Sequence, residues 1–208
     1  MLEVAVFAKA PVPGFTKTRL IPVLRPGGAA AFQRKLMEQA VRTALEAGIG
    51  PATLWCAPDP SHQAFADLAA RFAVGLAPQV SGDLGARMLA AFDAAAPRPL
   101  VLIGTDCPSL GAQDLRDAAD ALRGGADVAI APAEDGGYGL IAAHCPMPIL
   151  FRDMPWSTAK VMSLTRERAR AAGLTLVERQ TIWDVDTPAD YERLVASGLL
   201  TVPELLPS

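Results

Sequence analysis

The chain has 208 residues, 51% of them hydrophobic and 20% charged, with a formal net charge of −3. That is enough for one domain with a substantial core, and so small a net charge excludes a global basic field for nucleic acid or an anionic membrane. Three cysteines (Cys56, Cys107 and Cys145) without a C-x-x-C pair argue against a disulfide framework or a thiolate zinc site, and for a reducing, cytoplasmic setting. No signal-peptide pattern and no uncharged run of about 18 apolar residues is read, so no membrane span is expected.

Short apolar runs alternate with longer amphipathic stretches. Leu2–Ala8 reads as a buried strand, broken by Pro11, Pro13 and Gly14. Ala29–Ala47 reads as a helix, because Phe32, Leu36, Ala40, Val41, Ala44 and Leu45 recur near a period of 3.6, and Gly48 can end it. Ala52–Cys56 is the next strand, Ser61–Phe72 a helix, Val74–Leu76 a short strand and Asp83–Ala95 a helix. Leu100–Gly104 is the clearest central strand, followed by a helix over Gln113–Leu122 and strands over "DVAIAPA" and Tyr138–Ala143. Ser157 is expected to cap a helix running to Ala172, and Leu174–Val177 is a strand. Thr187, Pro188 and Asp190 then form a capping-box pattern that opens a last helix. The Pro-rich tail, 201–208, is expected to be loosely held. This alternation predicts an α/β sandwich with a mostly parallel sheet.

Ligands of such sheets bind beyond the carboxyl ends of the strands, and four polar clusters fall there. The opening loop carries Lys9, Lys17 and Arg19 around Gly14. Arginine can give two parallel hydrogen bonds to phosphate and lysine a mobile charge, although neither the P-loop nor the dinucleotide fingerprint is present. In "SGDLGARM", Gly82, Asp83 and Arg87 sit where a helix starts, and Asp83 by itself reads as its cap. In "GTDCP", Asp106 ends a buried strand, where a carboxylate is costly unless paired or metal-bound. In "AEDGGYG" and "WDVDTP", Glu134 and Asp135 precede a Gly136–Gly137 turn, and Asp184 and Asp186 project to the same side if extended. Each cluster alone is readable as a turn, a cap or a solvated loop. Together, separated carboxylates able to hold Mg²⁺ or Mn²⁺ and basic groups able to hold phosphate describe a nucleotide site.

Six segments, "FAKAPVPGFTKTRL", "GDLGARM", "LIGTDCPSL", "PAEDGGYGLI", "MPWST" and "DVDTPADYERL", resemble in order the motifs of the DUF2064 family, over residues 4 to 194. The resemblance implies a Rossmann-like GT-A nucleotide-diphospho-sugar transferase fold, a three-layer α/β/α sandwich with a mixed, mostly parallel seven-stranded sheet. It implies one domain over 1–208, with a nucleotide half at about 1–108 and an acceptor half at about 109–200. Asp106 takes the place of the metal-binding aspartate of the GT-A D-x-D motif. Cys107 and Pro108 follow it, so the second carboxylate would come from Asp184 or Asp186.

The activity so implied is a metal-dependent glycosyltransferase acting on a nucleotide-sugar donor and a small-molecule acceptor. On this reading substrate contacts fall at Ala8, Lys9, Ala10, Pro11, Gly14, Lys17, Arg19, Gly82, Asp83, Arg87, Thr105, Gly136, Gly137, Tyr138, Trp156 and Ser157. The base that deprotonates the acceptor is Asp135 or Glu134, with Asp135 preferred because it adjoins the Gly-Gly turn. The "KTRL" of the opening loop also resembles 2-phospholactate guanylyltransferase, so nucleotidyl transfer to a phosphorylated acceptor is the alternative, and a non-catalytic nucleotide-binding module a third.

Overall fold

The computed structural model describes residues 2–201; the rest of the tail expected to be loosely held, 202–208, lies outside the described residues. Seven strands form one sheet: β1 (Glu3–Lys9), β2 (Ala52–Ala57), β3 (Gly75–Pro78), β4 (Leu100–Ile103), β5 (Val128–Pro132), β6 (Tyr138–Ala143) and β7 (Leu176–Glu178). Their order is β3-β2-β1-β4-β6-β5-β7, and all neighbours are parallel except that β6 runs antiparallel to both β4 and β5. The mixed, mostly parallel sheet expected above is therefore present. The reversal of β6 has a local consequence. The turn from β5 to β6 lies at the same sheet edge as the carboxyl ends of β1 and β4.

Side chains alternate across the sheet, so each strand feeds two cores. Val4, Val6, Val101 and Ile103 pack on one face with helices α1 (Ile21–Ala47), α2 (Gln63–Phe72) and α4 (Ala112–Arg123). Ala5, Phe7, Leu100, Leu102, Val128 and Ile130 pack on the other with α3 (Leu84–Ala95), α5 (Pro148–Phe151) and α6 (Val161–Ala171). A third cluster joins the first part of α1 to α7 (Pro188–Ser197) through Phe32, Leu36, Trp183, Val185 and Leu194.

Several boundaries depart from the sequence expectation for identifiable reasons. The first helix begins at Ile21 rather than Ala29, with a break at Arg25 (φ 58°, ψ 166°) just before Pro26. Proline drives its predecessor out of the helical region, so a short turn and a long helix are joined across one non-helical residue. Ser157 is not a helix cap: its backbone is left-handed (φ 62°), and α6 starts four residues later at Val161. His62, not Ser61, caps α2, its ring accepting from the Ala64 N–H at 3.2 Å. The one-turn helix α5 carries too short a pattern to be read from periodicity. The capping box at Thr187 and Asp190 is as expected, and so is the left-handed Gly48 ending α1.

Phe32 has no exposed surface and meets Tyr191 edge-on with ring centroids 5.0 Å apart, so it joins α1 to α7. Phe32→Ala should cost about 3–5 kcal/mol of stability in denaturant titration. A loss below about 1 kcal/mol would show that the α7 layer is not part of the cooperative core.

Candidate active site

The opening loop, the Asp106 segment and the Asp184–Asp186 strip meet at the carboxyl edge of the parallel strands, and a lysine is at their centre. Lys17 follows a turn in which the Phe15 and Thr16 N–H groups both donate to the Val12 carbonyl. Its own backbone is left-handed (φ 46°), and its side chain is only 4% exposed. The ammonium donates to the Val185 carbonyl at 2.7 Å, lies 2.8 Å from Asp106 Oδ1 and 4.0 Å from Asp186 Oδ1. Arg19, whose side chain is 71% exposed, binds the other oxygen of Asp186 at 2.6 Å. The Val185 N–H donates to the Asp106 carbonyl at 2.9 Å, which stitches the C-terminal strip to the end of β4 independently of either cation. Thr105 is buried behind this set, accepting from Gln33 Nε2 at 3.2 Å, with its hydroxyl 3.5 Å from Asp106 Oδ1.

A second carboxylate pair lies beside the first. Burial, then the negative charge of Asp135, raises the Asp184 carboxyl above its ordinary range. Burial, followed by the charges of Asp106 and Asp184, raises the thiol of Cys107, which therefore stays protonated and inert. Asp135 Oδ1 accepts from the Gly137 N–H at 2.8 Å and so shapes its own turn. That turn needs glycine at 136: φ is +89°, and a Cβ there would run into the Ala159 backbone. Glu134 points elsewhere. It is held by both terminal nitrogens of Arg193, at 2.7 and 3.0 Å, and that guanidinium stacks 4.3 Å over the Trp183 ring. The hydrogen bond from Arg193 lowers the Glu134 pKa.

Tyr138 and Trp156 meet edge-on, centroids 6.3 Å apart. The Tyr138 hydroxyl and Trp156 Nε1 are two of the three buried side-chain polar atoms without a partner among the described residues. Trp156 also lies against Gly85 of α3, where a Cβ would come within 2.8 Å of Nε1. The "EDGGYG", "MPWST" and "GDLGARM" segments are thus packed together. The Gly82–Arg87 cluster is otherwise self-contained: Asp83 Oδ1 accepts from the Ala86 N–H at 2.8 Å, and Arg87 Nε donates to the Gly82 carbonyl at 3.1 Å. Lys9 is exposed and tied to the Phe15 carbonyl at 2.9 Å, while Ala8, Ala10 and Pro11 are buried at the strand end. Gly14 is exposed in a left-handed turn (φ 83°), and Ser157 is exposed.

Sequence reasoning missed Gln33, Val185 and Arg193. Gln33 had a signal, a polar residue on the apolar face of a helix. The Val185 carbonyl and the Arg193 stack had none.

Among the described residues, no three His, Cys, Asp or Glu side chains form a group able to hold a metal ion. What converges is two carboxylates and a carbonyl around the Lys17 ammonium, a cation already seated among hard oxygens. Mg²⁺ and Mn²⁺ sites of this kind use one or two carboxylates and complete their shell with water and substrate phosphates. The residues present fit that ion.

A family model described as an uncharacterized protein conserved in bacteria (DUF2064) matches residues 40–158. Among solved structures, a protein of Desulfovibrio desulfuricans G20, provisionally named a nucleotide-diphospho-sugar transferase, superposes with a TM-score of 0.85 at 29% identity, over 95% of this chain and 88% of that one. A nucleotidyl transferase from Methanothermobacter gives 0.62 at 19% identity, over 95% and 97%. Glucosyl-3-phosphoglycerate synthase from Mycobacterium tuberculosis, solved with Mn²⁺, UDP and glucosyl-3-phosphoglycerate, gives 0.56 at 11% identity, over 98% and 81%. The last two share the fold with this chain. No curated protein matches it in sequence. The fold is that of the nucleotide-diphospho-sugar and nucleotidyl transferases, and the expected enzyme class, a transferase, agrees with these neighbours. No helix among the described residues is long and apolar enough to cross a membrane.

Asp184 gives a pH-dependent prediction. A carboxyl with a higher pKa folded than unfolded holds its proton more tightly in the folded state, so stability falls as pH rises through that interval. Asp184→Asn removes this loss. Its melting temperature should exceed that of the wild type near pH 7 and converge with it near pH 3, below the usual carboxylate range. An unchanged or lower value near pH 7 would mean that the Asp184 charge is already compensated.

Proposed function

The chain belongs to the DUF2064 family, and we propose that it is a glycosyltransferase that moves a sugar from a nucleotide-diphospho-sugar to a small-molecule acceptor. The observation that carries this reading is the meeting of the basic opening loop with Asp106 and Asp186 at the carboxyl edge of the sheet. We assign the donor to the half ending near residue 108 and the acceptor to the half beginning at 109. The free cysteines support a cytoplasmic setting.

Arg19 is assigned to the donor diphosphate; its exposed guanidinium, paired with Asp186, supports this. Asp106, with Asp186 or Asp184, would hold Mg²⁺ or Mn²⁺, which when bound supplies positive charge to the departing nucleoside diphosphate. Asp135 is assigned as the base. It is exposed and opens the Gly-Gly turn, whereas Glu134 is engaged by Arg193. The two orphaned polar atoms, on Tyr138 and Trp156, support a hydroxyl-bearing substrate beside them, since buried phenol and indole groups ordinarily find a hydrogen-bond partner.

Nucleotidyl transfer is the second reading, favoured by the likeness of "KTRL" to 2-phospholactate guanylyltransferase. Incubation with UDP-, GDP- and dTDP-sugars and with nucleoside triphosphates separates the two. Release of nucleoside diphosphate from a nucleotide-sugar supports sugar transfer; release of pyrophosphate from a triphosphate supports the alternative and overturns the first.

Once a donor is found, Asp135→Asn should lower kcat by about 10²–10⁴-fold, the range of general-base catalysis. Glu134→Gln should leave kcat within a few-fold of wild type, and the reverse order would move the base to Glu134. Arg19→Ala should weaken donor binding by about 1.5–3 kcal/mol in calorimetry, the worth of a charged hydrogen bond. Unchanged affinity would remove Arg19 from the donor site.

A further inference from the structure

Among the described residues, Lys17 is the one charged residue that is buried. A lysine side chain 4% exposed is uncommon unless paired, and a left-handed backbone (φ 46°) at a residue other than glycine persists only where its surroundings dictate it. Its ammonium faces oxygen atoms: the Val185 carbonyl at 2.7 Å, Asp106 Oδ1 at 2.8 Å and Asp186 Oδ1 at 4.0 Å. Two of these oxygens belong to the carboxylates assigned above to the metal. With Arg19 on the remaining oxygen of Asp186, two cations balance two carboxylates in the free protein.

We propose that Lys17 is a built-in counter-ion of the metal site: it holds Asp106 and Asp186 in the absence of a divalent cation and competes with that cation for them. This rests on the assignment of those carboxylates under Proposed function. A divalent ion entering the balanced set leaves a surplus of positive charge beside a buried ammonium, and the phosphates of a nucleotide remove that surplus. Metal uptake by the free protein is therefore weak, and the metal is retained only with an anionic ligand. The main-chain segments that carry Asp106 and Asp186 are joined without Lys17, because the Val185 N–H donates to the Asp106 carbonyl.

The probe is Mn²⁺ alone, without nucleotide, followed by calorimetry and by the paramagnetic signal of the free ion. Lys17→Met removes the charge at similar length, and Lys17→Gln keeps a donor for the Val185 carbonyl should the methionine variant fold poorly. Both should bind one Mn²⁺ at least tenfold more tightly than the wild type, and Mn²⁺ should raise their melting temperature but not that of the wild type. Adding Asp106→Asn to either variant should abolish the gain. Lys17→Met and Lys17→Gln proteins that bind Mn²⁺ no more tightly than the wild type would overturn the proposal and leave Lys17 a structural ion pair. So would tight wild-type binding lost on Asp106→Asn. Failure of the transferase reading has a separate signature, no turnover of any nucleotide-sugar, and leaves the Mn²⁺ comparison intact.

Discussion

The carboxyl edge of this sheet is organised by one buried ammonium. Lys17 Nζ joins the opening loop to the end of β4 through Asp106, and to the strip before α7 through the Val185 carbonyl, 168 residues away in sequence. Buried charge is expensive, and it is tolerated here because the lysine has close oxygen partners in a compact set. Removing a carboxylate leaves the buried ammonium short of a partner, whereas the part-exposed Asp106 and Asp186 keep contact with water when the lysine is lost. The supporting contacts act in the same direction. Gln33 reaches from α1 to fix Thr105 beside Asp106, and the Val185 N–H fixes the Asp106 backbone.

The side of the edge at the β5–β6 turn is built differently. Because β6 runs antiparallel, the chain leaves β5 and returns through a tight turn at the edge where the parallel strands also end. That turn is fixed by Asp135 accepting from the Gly137 N–H and by the packing of Gly136 on Ala159. Arg193 takes Glu134 out to the surface of α7 and stacks on Trp183. Two adjacent carboxylates of the sequence, Glu134 and Asp135, thereby acquire different environments. One is satisfied by an arginine, and the other is left exposed beside Asp184.

Much of this was legible in the sequence, for physical reasons. Leu100–Ile103 and Val128–Pro132 are continuous apolar runs because strands covered on both faces bury every side chain, and their ends marked Asp106 and Glu134–Asp135 as edge residues. Thr187 and Asp190 announced α7 through local hydrogen bonding alone. What was illegible depends on tertiary contact. Local rules read Ser157 as a helix cap, yet its residue is held left-handed in a loop packed against the β5–β6 turn. The apolar periodicity started the first helix at Ala29, while the packing of Leu20 and Leu24 with α7 keeps a helical turn before it. Lys17 read as a phosphate ligand because its residue type and loop fit one. Nothing local reveals that a main-chain carbonyl 168 positions away would claim its ammonium.

The two halves of the edge differ in how their polarity is satisfied. On the side of the opening loop every strong charge has an internal partner: Lys17 with Asp106, Arg19 with Asp186, and Lys9 with the Phe15 carbonyl. On the side of the β5–β6 turn, Asp184 is desolvated next to Asp135, and the Tyr138 hydroxyl and Trp156 Nε1 lack protein partners. Buried polar groups without partners cost stability, and such costs concentrate where a ligand completes the hydrogen bonding. On the proposed reading the donor side is preorganised by exchangeable ion pairs, whereas the acceptor side is completed by the substrate itself. A nucleotide would then displace internal partners and bring its own charge, and a sugar or acceptor hydroxyl would gain hydrogen bonds that the free protein cannot make. On that reading the first step would be sensitive to ionic balance and the second to hydroxyl geometry, because one side of the edge is closed by ion pairs and the other keeps polar atoms without protein partners.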